Sequence, residues 1–275
     1  MTVARSLVFV HAHPDDEALF GAGSARHYAN DDVQVTLVTC TTGQLGLDPD
    51  ANSGDSPDHD ELATAATRAG ELVRAATVLG FSRVVNLGYR DSGMVGWPQN
   101  AHPDAFVNVN FDASARTLAA LFDELEATVV VTYDETGFYG HPDHVTANQI
   151  TRRAVELTSF VERLYYPVVP HEVLADFARG ARDLGVFLPA WVLEAGAHVD
   201  RASVSTTMDV AHLAPIKQRA MATHASQVDN GDLVTMREDL FTLLFGTEYF
   251  ARAWSRRRVG DGDDANDLFG GLTWD

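Results

Sequence analysis

The chain has 275 residues, 45% hydrophobic and 21% charged, the composition of a globular protein with ample material for a core. Asp and Glu number 39 against 20 Lys and Arg, and the net charge of −19 argues against binding nucleic acid or an anionic membrane surface, both of which need a positive patch. The lone Cys40 excludes an internal disulfide, the N-terminal "RSLVFV" is too short for a signal-peptide core, and no apolar run approaches the roughly 20 residues that span a bilayer, so we expect a soluble cytoplasmic protein.

The first predicted strand, Leu7–Ala12, runs directly into "HAHPDDE" (His11–Glu17). Charge at the edge of a core costs several kcal/mol unless something compensates it, and a metal ion is the natural compensation. His13 and Asp16 are three apart where the strand enters a helix, a spacing that puts both side chains on one face of a first turn. His11, one pleat before His13, faces the same side as a supporting or substrate-side residue. A second strand, Val33–Cys40, leads into "TTGQLG" and then into the turn-rich loop Leu47–Asp60. The spacing of Leu62, Ala65, Ala69, Leu72, Val73, Ala76 and Leu79 predicts a helix over Glu61–Leu79, with Gly80 as its stop. A strand follows at Arg83–Tyr89, ending in "RDSGM", and then the loop Met94–Asn110. A second helix is expected over Ser114–Glu126 and a fourth strand over Thr128–Tyr133, which opens into "DETGFYGHPDH" with His141 and His144 again three apart. The fifth strand is Leu164–Val169. From about Pro170 the pattern shifts to helices, with one extended run at Ala202–Val210 and an apolar plug at Leu268–Leu272 that docks the tail.

Strand alternating with helix implies right-handed crossovers and an α/β fold: a Rossmann-like, mostly parallel twisted sheet flanked by helices. Residues 1–170 form the catalytic domain in this reading, and 171–275 a smaller helical and extended portion completing the cleft. Ligands of such sheets bind beyond the carboxyl ends of the strands, where all the chemically interesting clusters fall.

Two histidines and a carboxylate supply three N/O ligands and leave a position for water, the pattern of catalytic zinc. The leftover groups then acquire roles. Asp15 could take a proton from water, His141 could protonate a leaving group with Asp143 holding its ring, and Tyr139 could donate to an oxyanion. Acids at a helix start also stabilise its dipole without any metal, and "HPD" can be simply a helix beginning. Among rival functions, a non-haem Fe(II) oxygenase uses similar ligands but needs neither extra base nor acid. A non-catalytic sugar- or metal-binding protein leaves Asp15 unexplained.

"HPDDE" after the first strand and "HPDH" after a later one resemble the LmbE-like (PIG-L) N-acetylglucosaminyl deacetylases. "FVHAHPDDEAL", "RDSGM", "YGHPDHV" and "DLFGGL" are most similar to its mycothiol-biosynthesis deacetylase and mycothiol S-conjugate amidase branch. The resemblance implies a metal-dependent N-deacetylase, with Zn2+ or alternatively Fe2+, acting on a small N-acylated amino sugar. It makes His13, Asp16 and His144 the metal ligands, Asp15 the base, His141 the second catalytic group with Asp143 as partner, and Tyr139 the tyrosine near the oxyanion. Arg68 and Asp91 match positions that contact sugar hydroxyls, and His224 lies where the family's late helix approaches the cleft. The chain departs from the pattern in "GQLGL", where Gln44 and Leu47 replace acids, and at Phe138, which replaces a usual glycine. Together with Phe20 and Trp97, these changes lead us to expect a less polar pocket than the mycothiol precursor needs.

Overall fold

Five strands, β1 (Ser6–His11), β2 (Gln34–Thr41), β3 (Arg83–Tyr89), β4 (Val129–Val131) and β5 (Arg163–Pro170), are parallel neighbours in the order β3-β2-β1-β4-β5. The structure is a computed structural model and describes residues 5–183, 185, 198–228, 231–258, 260 and 263–273. The strand order reverses between β1 and β4, whose register pairs Leu7 with Val129 and Phe9 with Val131. A crevice opens at such a reversal beyond the strands' carboxyl ends, which is where a doubly wound sheet holds its ligand.

Alternation along β1 divides the core between the two faces of the sheet. Val8 and Val10 point to one face, with Phe106, Leu118, Phe122 and Ile150, under α4 (Phe111–Glu124) and α6 (Pro142–Leu157). Leu7 and Phe9 point to the other, with Tyr28, Leu72 and Phe250, under α2 (Ala22–Asn30) and α3 (Glu61–Leu79). Cys40 is a buried thiol at the end of β2. Leu268 and Phe269 are buried on the second face, so the tail docks as the apolar plug predicts.

The sheet does not stop at β5. After α7 (His171–Asp183) and the two-residue β6 (His198–Val199), which pairs with β5, the chain adds β8 (Thr247–Ser255) antiparallel to β5 and β7 (Thr206–Asp209) antiparallel to β8. Sequence periodicity assigns β8 to a helical stretch and so misses it. The reason is Glu248, a buried carboxylate at a core-facing position, which breaks the apolar alternation. The extended run Ala202–Val210 is a strand only over Thr206–Asp209, after a 3-10 turn at Arg201–Ser203.

The spacing over Glu61–Leu79 gives the right helix but not its inner face. Leu62 and Val73 are 84% and 61% exposed, whereas Arg68 and Glu71 are buried together with Leu72, Ala76 and Leu79. Polar residues occupy the core-facing stripe because groups on other elements satisfy them, Asp15 for Arg68 and Ser226 for Glu71. Asp60 caps the helix start by accepting the Ala63 amide, and Gly80 ends it at φ 81°.

Candidate active site

Two segments meet at the crevice. One is the turn after β1, which enters the short helix α1 (Asp16–Leu19); the other is the kinked turn α5 (Gly137–Gly140) leading into α6. His141 is the N-cap of α6, its Nδ1 accepting the Asp143 amide at 3.1 Å, with Pro142 in the first helical position. This local geometry sends His144 inward one turn later.

Nδ1 of His13 lies 3.3 Å from Nε2 of His144 and 3.5 Å from the Asp16 carboxylate, and His144 Nε2 lies 3.4 Å from that carboxylate. A tetrahedral ion with bonds of about 2.0–2.1 Å separates its ligand atoms by about 3.3 Å. The tautomers fit as well. His144 Nδ1 faces the Gly137 carbonyl at 3.1 Å, and His13 Nε2 faces Asp143 Oδ2 at 3.1 Å, so each ring has an acceptor for its proton on the side away from its partner. Two imidazole lone pairs facing each other at this distance repel unless a proton or a cation stands between them. Burial and the neighbouring imidazole push His144 down to about 4, while the two histidines hold Asp16 well below the usual carboxylate range against its own burial. Neutral His144 and ionised Asp16 are in the forms a divalent ion requires, whereas His13, held well above the usual imidazole range by Asp91, Asp143 and Asp16 against its own burial, carries a proton that an ion would displace. His141 also brings a nitrogen within reach of His13 and His144. Asp16 contacts both histidines and carries the compensating charge, and so makes the better third donor.

The other expected residues surround this triad. Asp15 adopts φ 113°, a conformation that side chains disfavour, and its carboxylate pairs with Arg68 Nη2 at 3.1 Å. Burial raises the Asp15 carboxyl to about 6 although Arg68 opposes the shift. Tyr139 is 51% exposed, its ring centroid 4.9 Å from that of His144. Burial, then the neighbouring His13 and His144, push His141 down to about 2. Asp91 is buried, accepts the Gly93 amide at 2.8 Å and stands 3.8 Å from His13 Nε2.

Four expectations need correction. The Asp143 carboxylate does not hold His141. It accepts from the Ser92 amide at 3.0 Å and supports His13, because the helix start turns its side chain back toward the strand ends. Arg68 does not face the cleft. Its guanidinium is buried and donates to the Pro14 and Gly43 carbonyls as well as to Asp15. A side chain at Gly43 would come within 2.6 Å of it, so the glycines of "TTGQLG" are what admit it. His224 is buried against Glu17, 2.6 Å from its carboxylate, and His11 is enclosed by Phe9, Phe20 and Tyr133. Neither His11 nor His224 offers a surface to a sugar.

Sequence reading overlooked Tyr133 and Glu17. Tyr133 donates to Asp16 at 2.6 Å, accepts the Ala12 amide at 2.7 Å and stacks on His144 with ring centroids 4.0 Å apart. A tyrosine ending a buried apolar strand is the signal that could have found it. Glu17 accepts the Asp15 amide at 2.9 Å and thereby fixes the strained residue.

Residues 8–155 match the PIG-L family, described as GlcNAc-PI de-N-acetylase. The chain is 38% identical to a protein of Actinosynnema mirum named 1D-myo-inositol 2-acetamido-2-deoxy-alpha-D-glucopyranoside deacetylase, over 99% of each chain. Its fold is like that of the N,N'-diacetylchitobiose deacetylase of Pyrococcus horikoshii, with a TM-score of 0.58 and 20% identity over 98% of this chain and 87% of that one. It is equally like the 4-carboxy-2-hydroxymuconate hydratase GalB of Pseudomonas putida, with a TM-score of 0.59 and 15% identity over 93% and 99%. One fold thus carries two chemistries, and the site must decide between them.

Proposed function

We propose, from the premise that the chain belongs to the PIG-L (GlcNAc-PI de-N-acetylase) family, that its substrate is an N-acylated amino sugar of the acetamido-glucopyranosyl-inositol type. The activity is hydrolysis of an N-acyl amide by a metal-dependent deacetylase. The observation that carries the reading is the convergence of His13 Nδ1, His144 Nε2 and Asp16 at ligand spacing, with the unligated Asp15 beside them.

His13, Asp16 and His144 would hold the ion, and these N/O donors suit zinc, with ferrous iron as the alternative. When bound, such an ion polarises the amide carbonyl and makes a nearby water more acidic. Asp15 takes the proton from the attacking water. Raised to about 6, it is matched to accept that proton near neutral pH and to hand it on to the departing amine as the C–N bond breaks. His141 receives the Asp143 amide on Nδ1 and so carries its proton on Nε2, ready to donate to the negative charge developing on the carbonyl oxygen. Protonation of the leaving amine, first expected of His141, is better assigned to Asp15, because a neutral imidazole is a donor and a poor acid. Tyr139 is the second donor, and Asp91 the polar wall for the sugar. Arg68 and Glu17 hold Asp15 in place, and Asp143 orients His13.

The test is amine release from the N-acetylglucosaminyl-inositol and from simple N-acetyl sugars. Asp15→Asn should keep its metal, measured by elemental analysis, while turnover falls about 10²-fold or more. Full activity in that variant would falsify the assignment of the base even with the metal site intact.

A further inference from the structure

Beside the site, at the carboxyl end of β5, lies a cavity of about 220 Å³. Among the described residues, Phe20, Phe138 and Tyr139 line its wall toward the site, and Val169, Leu174 and Phe245 its far wall. It is larger than the roughly 150 Å³ at which a dry apolar cavity takes up benzene. Two charged side chains also line it, but neither is free to recognise a charged ligand. Glu248 pairs with Lys217 at 2.5 Å and accepts the amides of Gly23 and Ser24 and the Ser24 hydroxyl, while Lys217 also donates to the Phe245 carbonyl. What fits here is apolar.

Its position relative to the triad gives the occupant a direction. On the Nε2 side of His13 lie Asp143 and Asp91, and Gln44 accepts the Asp91 amide. That side is polar. The Nδ1 side leads to His144, and past it to Tyr139 at 4.9 Å and Phe20 at 6.1 Å between ring centroids. This side is apolar and opens into the cavity wall. Phe138, at φ 68°, holds a backbone conformation that a residue with a side chain rarely adopts, and the strain sets its ring 4.6 Å from that of Phe20.

An N-acyl amino sugar has one polar half and one apolar half, joined at the amide that is cut. We infer that the cavity is an acyl-chain site: the sugar lies toward Asp91 and the acyl group toward Tyr139, so that chains longer than acetyl extend past Phe20 and Phe138. This rests on the hydrolase reading and widens its substrate class from N-acetyl to N-acyl amino sugars with an extended acyl chain.

The experiment compares N-acetyl-, N-butanoyl- and N-hexanoylglucosamine as substrates, and titrates the metal-stripped protein with N-hexanoylglucosamine and glucosamine by calorimetry. Each methylene buried in the cavity is worth about fourfold, so butanoyl, with two more than acetyl, should exceed it in kcat/KM by about 15-fold. Val169→Phe and Leu174→Trp fill the far wall away from the reacting groups. Each should abolish the gain and the hexanoyl binding, while acetyl turnover stays within about twofold and the melting curve shows a folded protein. Hydrolysis of acetyl with neither binding nor cleavage of the hexanoyl compound sinks the acyl-chain site and leaves the hydrolase. Hexanoyl binding that the filled variants lose, with no amide cleaved, sinks the hydrolase and leaves an apolar-chain site.

Discussion

Asp15 shows how much the site invests in one side chain. Its φ of 113° is a cost of about 1–3 kcal/mol, offset by Glu17 on its amide and Arg68 on its carboxylate. In the proposed mechanism Arg68 therefore acts on catalysis through Asp15. Arg68→Lys replaces a fork that grips two carbonyls and a carboxylate with a point charge. We expect kcat to fall about 10- to 100-fold with KM within about threefold; a rise in KM at unchanged kcat would return Arg68 to the sugar-binding role that the resemblance implies. Asp143 gives a second test. Asp143→Asn removes the charged acceptor on His13 Nε2 and should weaken metal affinity about 10- to 100-fold in a chelator competition. An unchanged affinity would mean that His13 orients itself. The convergence of His13, Asp16 and His144 was legible as a candidate ligand set because two short motifs carry them. The partner of Asp143 was not, because a hydrogen bond across 130 positions leaves no local spacing.

At the scale of elements, α2 and β8 are joined through Glu248. Its carboxylate takes the first amides of α2, where the helix dipole favours an anion, and neutralises the buried Lys217. Burial alone would raise the Glu248 carboxyl, but Lys217 and the Ser24 and Gly23 donors leave it below the usual range. A depressed carboxylate contributes stability that is present above its unfolded pKa of about 4.3 and is lost as pH falls through the lower folded value. Glu248→Gln should therefore cost about 3–5 kcal/mol at pH 7, since it strands a buried lysine. The variant should also lose less stability than the parent on acidification below about pH 4. Denaturant unfolding at both pH values measures this, and equal stability at pH 7 would show that Lys217 finds another partner. The same residue explains why β8 escaped sequence reading. A charge at a buried strand position reads as a loop or a solvated helix face until its counter-charge, 31 residues away, is in place. In α3 too, the helix was legible from its 3.6-residue spacing, but its buried face was not, because Arg68 and Glu71 are satisfied by groups on other elements.

At the scale of the whole molecule, the charge of −19 is a self-repulsion that salt relieves. Raising NaCl from about 0.02 to 0.5 M should raise the melting temperature by several degrees as the Debye length shrinks from about 20 to about 4 Å. A fall, or no change, would mean that favourable ion pairs outweigh the repulsion. Among the described residues no helix is long and apolar enough to cross a membrane. The sheet brings "HPDDE" and "HPDH" together because β1 and β4 are neighbours at the strand-order reversal, although 130 residues separate His13 from Asp143. The sequence by itself determined the parallel core strands, the helices between them and the ligand motifs at the strand ends, since each is written in spacings of two to four residues. Only the tertiary structure decided that Arg68 grips Asp15, that Asp143 serves His13, that β8 enters the sheet, and that an apolar cavity adjoins the triad. Those are contacts between distant segments, and the physics that selects them acts only once the chain has closed on itself.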